Sequence, residues 1–190
     1  QTIIQHMRSN NIDTTGMQAL NERYGGKNIG RNREMLQLIE PLYHAYVQNF
    51  ATNNGIDFPG MIVDAISCVN NGSYRHPYKY VLIDEYQDMS RPRYELIRAL
   101  RLQHDFSLFC VGDDWQSIYR FAGSDLHLIL DFDRIWRAWG PTFMFQITTT
   151  RRFRQSLIDA SGAFVMRDTN LYVKHLNNPS DKKDYSLKAL

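Results

Sequence analysis

Over 190 residues, 43% are hydrophobic and 13% aromatic, which excludes a disordered or low-complexity chain and leaves room for one ordinary domain, or one domain and part of another. The formal net charge of +2 neither marks nor excludes a nucleic-acid partner, because phosphate is bound by local basic patches rather than by the total. No run approaches the roughly 20 apolar residues of a membrane span, and the N-terminus lacks the charged-then-apolar layout of a signal peptide, so a cytoplasmic protein is expected.

The first thirty residues are polar, and Gly25-Gly26 breaks any periodic pattern. From Arg31 to Phe50, apolar residues recur at Met35, Ile39, Leu42, Tyr46 and Phe50, the period of an amphipathic helix. Pro41 inside it removes a backbone donor and crowds the preceding turn, which predicts a kink or a division. After Asn53-Asn54-Gly55, a second apolar-rich helix is predicted from about Pro59 to Val69. Cys68 within it and Cys110 further on have no partner at metal-ligand or redox spacing, so both are expected as buried free thiols in a reducing compartment.

Asn70-Asn71-Gly72 signals a turn, and Tyr80-Val81-Leu82-Ile83 then reads as a short buried strand ending in acids. Ser90 can cap a helix that opens at Arg91-Pro92 and runs to about Gln103, and Phe106 to Val111 reads as a second strand. Strand, helix, strand is the grammar of a parallel sheet. A helix from about Ser124 to Trp139 stopped by Gly140-Pro141, a third strand from Phe143 to Ile147 and a last helix from Gln155 to Met166 continue the pattern.

Ligands of open parallel sheets bind outside the carboxyl ends of the strands. The first strand ends there in Asp84-Glu85-Tyr86-Gln87-Asp88 and the second in Gly112-Asp113-Asp114-Trp115-Gln116. Carboxylates gathered at one edge repel one another unless a positive group sits among them, and a divalent metal is the economical candidate. Adjacent residues leaving a strand point in different directions, so of Asp84 and Glu85 one can hold a metal while the other faces a reacting water. An isolated acidic pair would more simply complement a helix N-terminus; the apolar strand before this one favours the site.

Val81-Leu82-Ile83-Asp84-Glu85-Tyr86-Gln87-Asp88 resembles the Walker B segment, motif II, of UvrD/Rep-type superfamily 1 DNA helicases. The stretch from Val111 to Gly123 resembles motif III, Thr150-Arg151-Arg152-Phe153 resembles motif IV, and Asp57-Phe58 resembles the family's Asp-Phe segment ahead of motif II. The ordered motifs II to IV span about half of the chain. The resemblance implies an α/β fold: part of a RecA-like (P-loop NTPase) parallel sheet flanked by helices, with a helical N-terminal portion. It divides the chain into part of an inserted helical subdomain (1–54), part of the ATPase core (55–150) and the start of a second motor domain (151–190).

The family's chemistry is ATP hydrolysis coupled to movement on single-stranded DNA and to the unwinding of duplex DNA, which implies ATP, Mg²⁺ and DNA as ligands and a cytoplasmic, nucleoid-associated protein. By resemblance, Asp84 holds the Mg²⁺ of Mg-ATP, and Glu85 accepts a proton from the water that attacks the γ-phosphate. Gln116 contacts the γ-phosphate or its water, and Arg152 neutralises charge on the transferred group. Arg151 stands where the family usually has a Tyr that stacks on adenine, and its flat guanidinium can also stack on a base. Tyr119, Arg120 and Phe121 match the platform that stacks bases of single-stranded DNA, although many relatives have Arg where this chain has Ala122. Without the resemblance, both aromatics would be assigned to the core.

No Gly-x-x-x-x-Gly-Lys-Ser/Thr phosphate loop occurs; Gly25-Gly26-Lys27-Asn28 lacks both its spacing and its hydroxyl. A chain opening at Gln1 and ending in a polar, weakly periodic tail from Asn177 suits a piece of a longer protein, expected to hold part of an ATP site and to be inactive alone. Two other functions compete. Clustered acids at a sheet edge also build metal-dependent nucleases, but no Lys lies between Lys79 and Lys174 to serve one. A non-catalytic interaction module on a degenerate helicase fold is the other, against which the intact Asp84, Glu85, Gln116 and Arg152 weigh.

Overall fold

A computed structural model describes residues 2–180. Its first half is helical: α1 (Thr2–Ser9), α2 (Thr14–Tyr24), α3 (Ile29–Thr52) and α4 (Phe58–Asn70). The polar opening thus holds two helices that periodicity alone does not announce. Asp13 starts α2 by accepting the Gly16 N–H at 2.7 Å, satisfying one of the donors that a helix leaves open at its first turn. Gly25 and Gly26 end it, Gly26 in the left-handed region at φ 52°.

Pro41 does not divide α3, which is one helix of 24 residues. The loss of one backbone hydrogen bond is offset by packing on either side of it, where Leu36 and Tyr43 are buried. Asp57 caps α4 through the Gly60 N–H at 2.8 Å. The same carboxylate takes two bonds from the Arg8 guanidinium, at 3.0 and 2.8 Å, and one from the Tyr46 hydroxyl at 3.2 Å. One nearly buried acid therefore ties α1, α3 and α4 together.

The sheet has two parallel strands, β1 (Tyr80–Ile83) and β2 (Ser107–Cys110), joined by α5 (Arg91–Gln103). Their register pairs Val81 with Leu108 and Ile83 with Cys110 on one face, and Tyr80 with Ser107 and Leu82 with Phe109 on the other. The first face is packed: Ile83 and Cys110 lie against the buried Tyr86, Met89 and Leu128. The second is bare, with Tyr80, Leu82 and Phe109 at 73%, 72% and 60% exposure. The expectation of a buried first strand thus holds on one face only, because elements cover only that side among the described residues. Burial pushes the half-buried Cys110 thiol up to about 12, whereas Cys68, expected to be buried, is exposed on α4.

Ser90 stands at the N-cap of α5 with extended backbone but makes no capping bond; it instead bridges antiparallel to Ser124. The single helix expected over 124–139 is broken into α6 (His127–Leu130), α7 (Phe132–Trp136) and a 3₁₀ turn at Arg137–Trp139. Trp136 anchors this stretch by donating its indole N–H to the Tyr86 hydroxyl at 3.0 Å inside the core. Gly140, at φ 131°, ends it where the sequence predicts.

The strand expected at Phe143–Ile147 does not form. Phe143, Phe145 and Ile147 point to solvent at 75%, 88% and 81% exposure, and pairing begins only at Thr149, which bridges parallel to Asn177. The last helix, α8 (Gln155–Val165), lies between these two paired residues. Asn177, the start of the expected weakly structured tail, is therefore engaged, and residues 181–190 of the expected second motor domain lie outside the described residues. No helix among the described residues is long and apolar enough to cross a membrane.

Candidate active site

Both strands release the chain at the same edge of the sheet. After Ile83, Asp84 turns outward and accepts the Glu85 N–H at 2.9 Å. Glu85 itself adopts left-handed backbone, φ 50° and ψ 45°, a conformation that costs a non-glycine residue energy and is retained where the surroundings fix it. Here the next residue fixes it, because the Tyr86 N–H donates to the Val111 carbonyl at 2.8 Å, extending the β1 to β2 pairing past the strands. The turn leaves Asp84 and Glu85 exposed.

Gln87 joins the two strand ends. Its side chain is 2% exposed; the amide nitrogen donates to Glu85 Oε2 at 2.7 Å and the amide oxygen accepts the Asp113 N–H at 2.8 Å. Gly112 makes this approach possible, since a Cβ there would sit 2.9 Å from Gln87 Oε1 and 3.1 Å from the Gln87 backbone nitrogen. On the far side of the bridge, Asp113 Oδ2 accepts from the Gln116 side chain at 2.5 Å. A continuous hydrogen-bonded path therefore runs from Glu85 through Gln87 and Asp113 to Gln116.

The cation among the carboxylates of the second strand end is a lysine. Lys174 forms ion pairs with both Asp113 and Asp114 and stands 5.2 Å above the Trp115 ring. Its neighbourhood is locked by the backbone around it: the Tyr172 N–H donates to Asp114 Oδ2 at 2.7 Å, and Trp115 Nε1 donates to the Tyr172 carbonyl at 2.9 Å. Burial raises the Asp113 carboxyl, but donation from Lys174, Gln116 and the Trp115 N–H outweighs it, so the group ends below the ordinary carboxylate value. Lys174 thus offsets one of the two negative charges of this pair, where the sequence pattern suggested a divalent metal.

The motif IV arginines open no helix directly. Arg151 and Arg152 lie in a bend before α8 with exposed side chains, and no ion pair between described residues holds either of them. The Arg152 backbone N–H donates to the Thr150 hydroxyl oxygen at 3.3 Å.

Tyr119 and Phe121 are not core residues. They are 47% and 72% exposed, with ring centroids 5.9 Å apart, and line a groove of about 580 Å³. Phe58 and Ile62 from α4 and Arg93 from α5 also line it, and Phe58 is 87% exposed. Arg120, between the two aromatics, is exposed as well.

Residues 2–136 match the family model described as the UvrD/REP helicase N-terminal domain. The chain belongs to the UvrD/Rep helicase family. It is 35% identical over 155 residues to DNA helicase IV of Escherichia coli K12, an alignment that covers 80% of this chain and 22% of that protein. It is 27% identical over 158 residues to the ATP-dependent DNA helicase PcrA of Staphylococcus epidermidis, covering 78% and 21%, and 26% identical over 145 residues to PcrA of Staphylococcus aureus, covering 74% and 19%. The chain thus spans about a fifth of the length of these UvrD/Rep relatives.

Gln87, Lys174 and Phe58 are the residues that sequence reasoning did not single out for the site. Gln87 lies in the segment that resembles motif II, between Tyr86 and Asp88. Lys174 is 61 residues from Asp113 and carried no sequence signal.

Proposed function

We propose that this chain is the part of an ATP-dependent DNA helicase that carries the water-activating end of the ATP site and one wall of the single-stranded DNA groove, within a partial RecA-like core. The supporting observation is the Gln87 bridge, which makes Glu85 and Gln116 parts of one hydrogen-bonded unit at the carboxyl edge of the sheet. In this reading Glu85 accepts the proton of the attacking water as its oxygen bonds to the γ-phosphorus and the bond to the ADP oxygen breaks, yielding ADP and phosphate. Gln116 faces the γ-phosphate or that water. Arg152, held by no ion pair among the described residues, is available to offset charge on the transferred group, and Arg151 to stack on the base.

Asp84 suits the Mg²⁺ of the nucleotide. It is exposed, and one of its oxygens is oriented by the Glu85 N–H. Mg²⁺ is commonly held by one or two carboxylates, with phosphates and water completing its shell, so a single aspartate is a sufficient protein contribution. When bound with ATP, the ion offsets negative charge on the β- and γ-phosphate oxygens.

Tyr119 and Phe121, with Arg120 between them and Phe58 lining the same groove, suit a strand of DNA whose bases stack on exposed rings while a cation meets the backbone. The nuclease alternative loses ground to Lys174, which pairs with both Asp113 and Asp114 and already offsets one of their two negative charges. The 190 residues alone contain no phosphate loop and are expected not to turn over ATP. The test is Glu85→Gln in the full-length protein: ATP binding is retained and DNA-stimulated hydrolysis is lost. Turnover near that of the unmodified protein overturns the assignment.

A further inference from the structure

Lys174 stands outside every segment assigned to the site, yet it pairs with two carboxylates at the end of the second strand. It comes from the stretch after α8, pairs with Asp113 and Asp114 together, and has a side chain only 19% exposed. Asp113 divides its two oxygens: Oδ1 goes to Lys174, and Oδ2 to the Gln116 amide. Its backbone N–H is held by Gln87. Asp113 is thus fixed from three sides, and what it fixes in turn is Gln116, which is otherwise exposed and has no second partner among the described residues.

We infer that Lys174 is a positioning residue for ATP hydrolysis, setting the orientation of Gln116 through Asp113 and linking it to the segment that follows motif IV. This rests on the reading of Gln116 as the γ-phosphate contact. Three features make the link specific. A lysine shared by two adjacent carboxylates cannot be replaced by water without leaving Asp114, at 3% exposure, as an uncompensated buried charge. The Tyr172 backbone closes on Asp114 and Trp115 from the same segment, so Lys174 is delivered as part of a folded strap rather than as a free side chain. That strap is paired at Asn177 with the chain that leads directly into Arg151 and Arg152. Movement of the motif IV region therefore reaches Gln116 by a path of named contacts: Asn177, the strap, Lys174, Asp113.

The experiment uses the full-length protein, with Lys174→Met, which keeps the stem and removes the charge, Lys174→Arg, which keeps the charge, and Gln116→Ala. Lys174→Met is expected to lower kcat for DNA-stimulated ATP hydrolysis about 10-fold to 100-fold, the range typical of outer partners that orient a reacting group, with little change in KM for ATP. Lys174→Arg recovers most of it. In the Gln116→Ala background, Lys174→Met costs little more, because the group it positions is already gone. Equal losses in both backgrounds, or a kcat per folded molecule that Lys174→Met leaves unchanged, overturn the proposal. Should Lys174→Met fold poorly, Lys174→Gln is carried through the same cycle with active enzyme titrated by burst amplitude. Glu85→Gln separates this from the underlying reading: if it abolishes turnover while Lys174→Met does not, only the positioning role fails, whereas if it spares turnover, both fail.

Discussion

The Gln87 amide nitrogen lies 2.7 Å from Glu85 Oε2, so the residue proposed to accept a proton from water is held by a neighbour two positions along the same turn. The other end of that amide holds the Asp113 N–H. Replacing Gln87 therefore breaks two bonds at once and leaves a buried backbone donor unpaired, which costs about 1 to 3 kcal/mol. Gln87→Leu is expected to lower the urea midpoint of this chain without changing the slope of the transition. In the full-length protein it is expected to depress kcat for ATP hydrolysis more than KM. A midpoint equal to that of the unmodified chain would show that water replaces the amide at no cost.

Gly112 is the steric counterpart of that bridge. The Cβ of alanine would meet Gln87 Oε1 at 2.9 Å, Ile129 Cδ1 at 3.0 Å and the Gln87 backbone nitrogen at 3.1 Å. Two of these three atoms belong to the bridging residue, and one of those is backbone, which cannot swing aside. Gly112→Ala is expected to cost about 1 to 3 kcal/mol by overpacking. The same substitution at Gly72, where a Cβ meets nothing within 4 Å, carries only the cost of its positive φ, and comparing the two by thermal unfolding separates crowding from backbone strain.

These contacts mark what could be read from residues in order and what could not. The acidic strand ends were legible because Asp84-Glu85 and Asp113-Asp114 each follow a short apolar run, and the parallel pairing follows from the helix between them. The breaks at Gly72 and Gly140 were legible because turns need positive φ. The fate of Phe143–Ile147 was not: alternation there satisfies a strand template, but a strand also needs a neighbour, and sequence pattern is silent on whether one is present. The α1 and α2 helices were missed because their amphipathic signal is spread over short, polar segments, and Asp13 reveals itself as a cap only once Gly16 is seen to donate to it. Lys174 was not legible because it lies 61 residues from Asp113 along the chain, and residue order does not show which distant segments meet in space.

The Arg8 to Asp57 pair gives a prediction in pH. Donation from Arg8 lowers the Asp57 carboxyl, burial works against it, and the Gly60 N–H lowers it further, so the folded value lies below the ordinary 3.8. The sign follows from linkage: a carboxyl depressed in the folded state contributes stability that is fully present above its unfolded value and is lost as pH falls from about 3.8 toward the folded value. Asp57→Asn removes this dependence along with the ion pair. Expected is a destabilisation of roughly 2 to 4 kcal/mol at pH 7, since Arg8 is left partly buried without its partner. The gap from the unmodified chain should narrow steadily below pH 4. A gap that stays constant between pH 7 and pH 3 in denaturant titrations would show that the loss does not come from the ionised carboxylate, since asparagine can still cap α4.

The groove between Tyr119, Phe121 and Phe58 tests the DNA half of the proposal, since exposure of 47%, 72% and 87% makes all three rings removable with little effect on folding. Each ring that stacks on a base contributes about 1 to 3 kcal/mol, which corresponds to roughly 5-fold to 150-fold in affinity per substitution. Phe121→Ala and Phe58→Ala, measured by fluorescence anisotropy with an oligothymidine in the full-length protein, should each weaken binding in that range. Neither should change the dependence of affinity on salt, because stacking releases no counterions. Arg93→Ala, which removes a cation from the same groove, should do the reverse: a smaller loss of affinity with a shallower salt slope. If Phe58→Ala binds as tightly as the unmodified protein while Phe121→Ala does not, the strand runs along the motif III side alone and α4 is only the groove's outer wall.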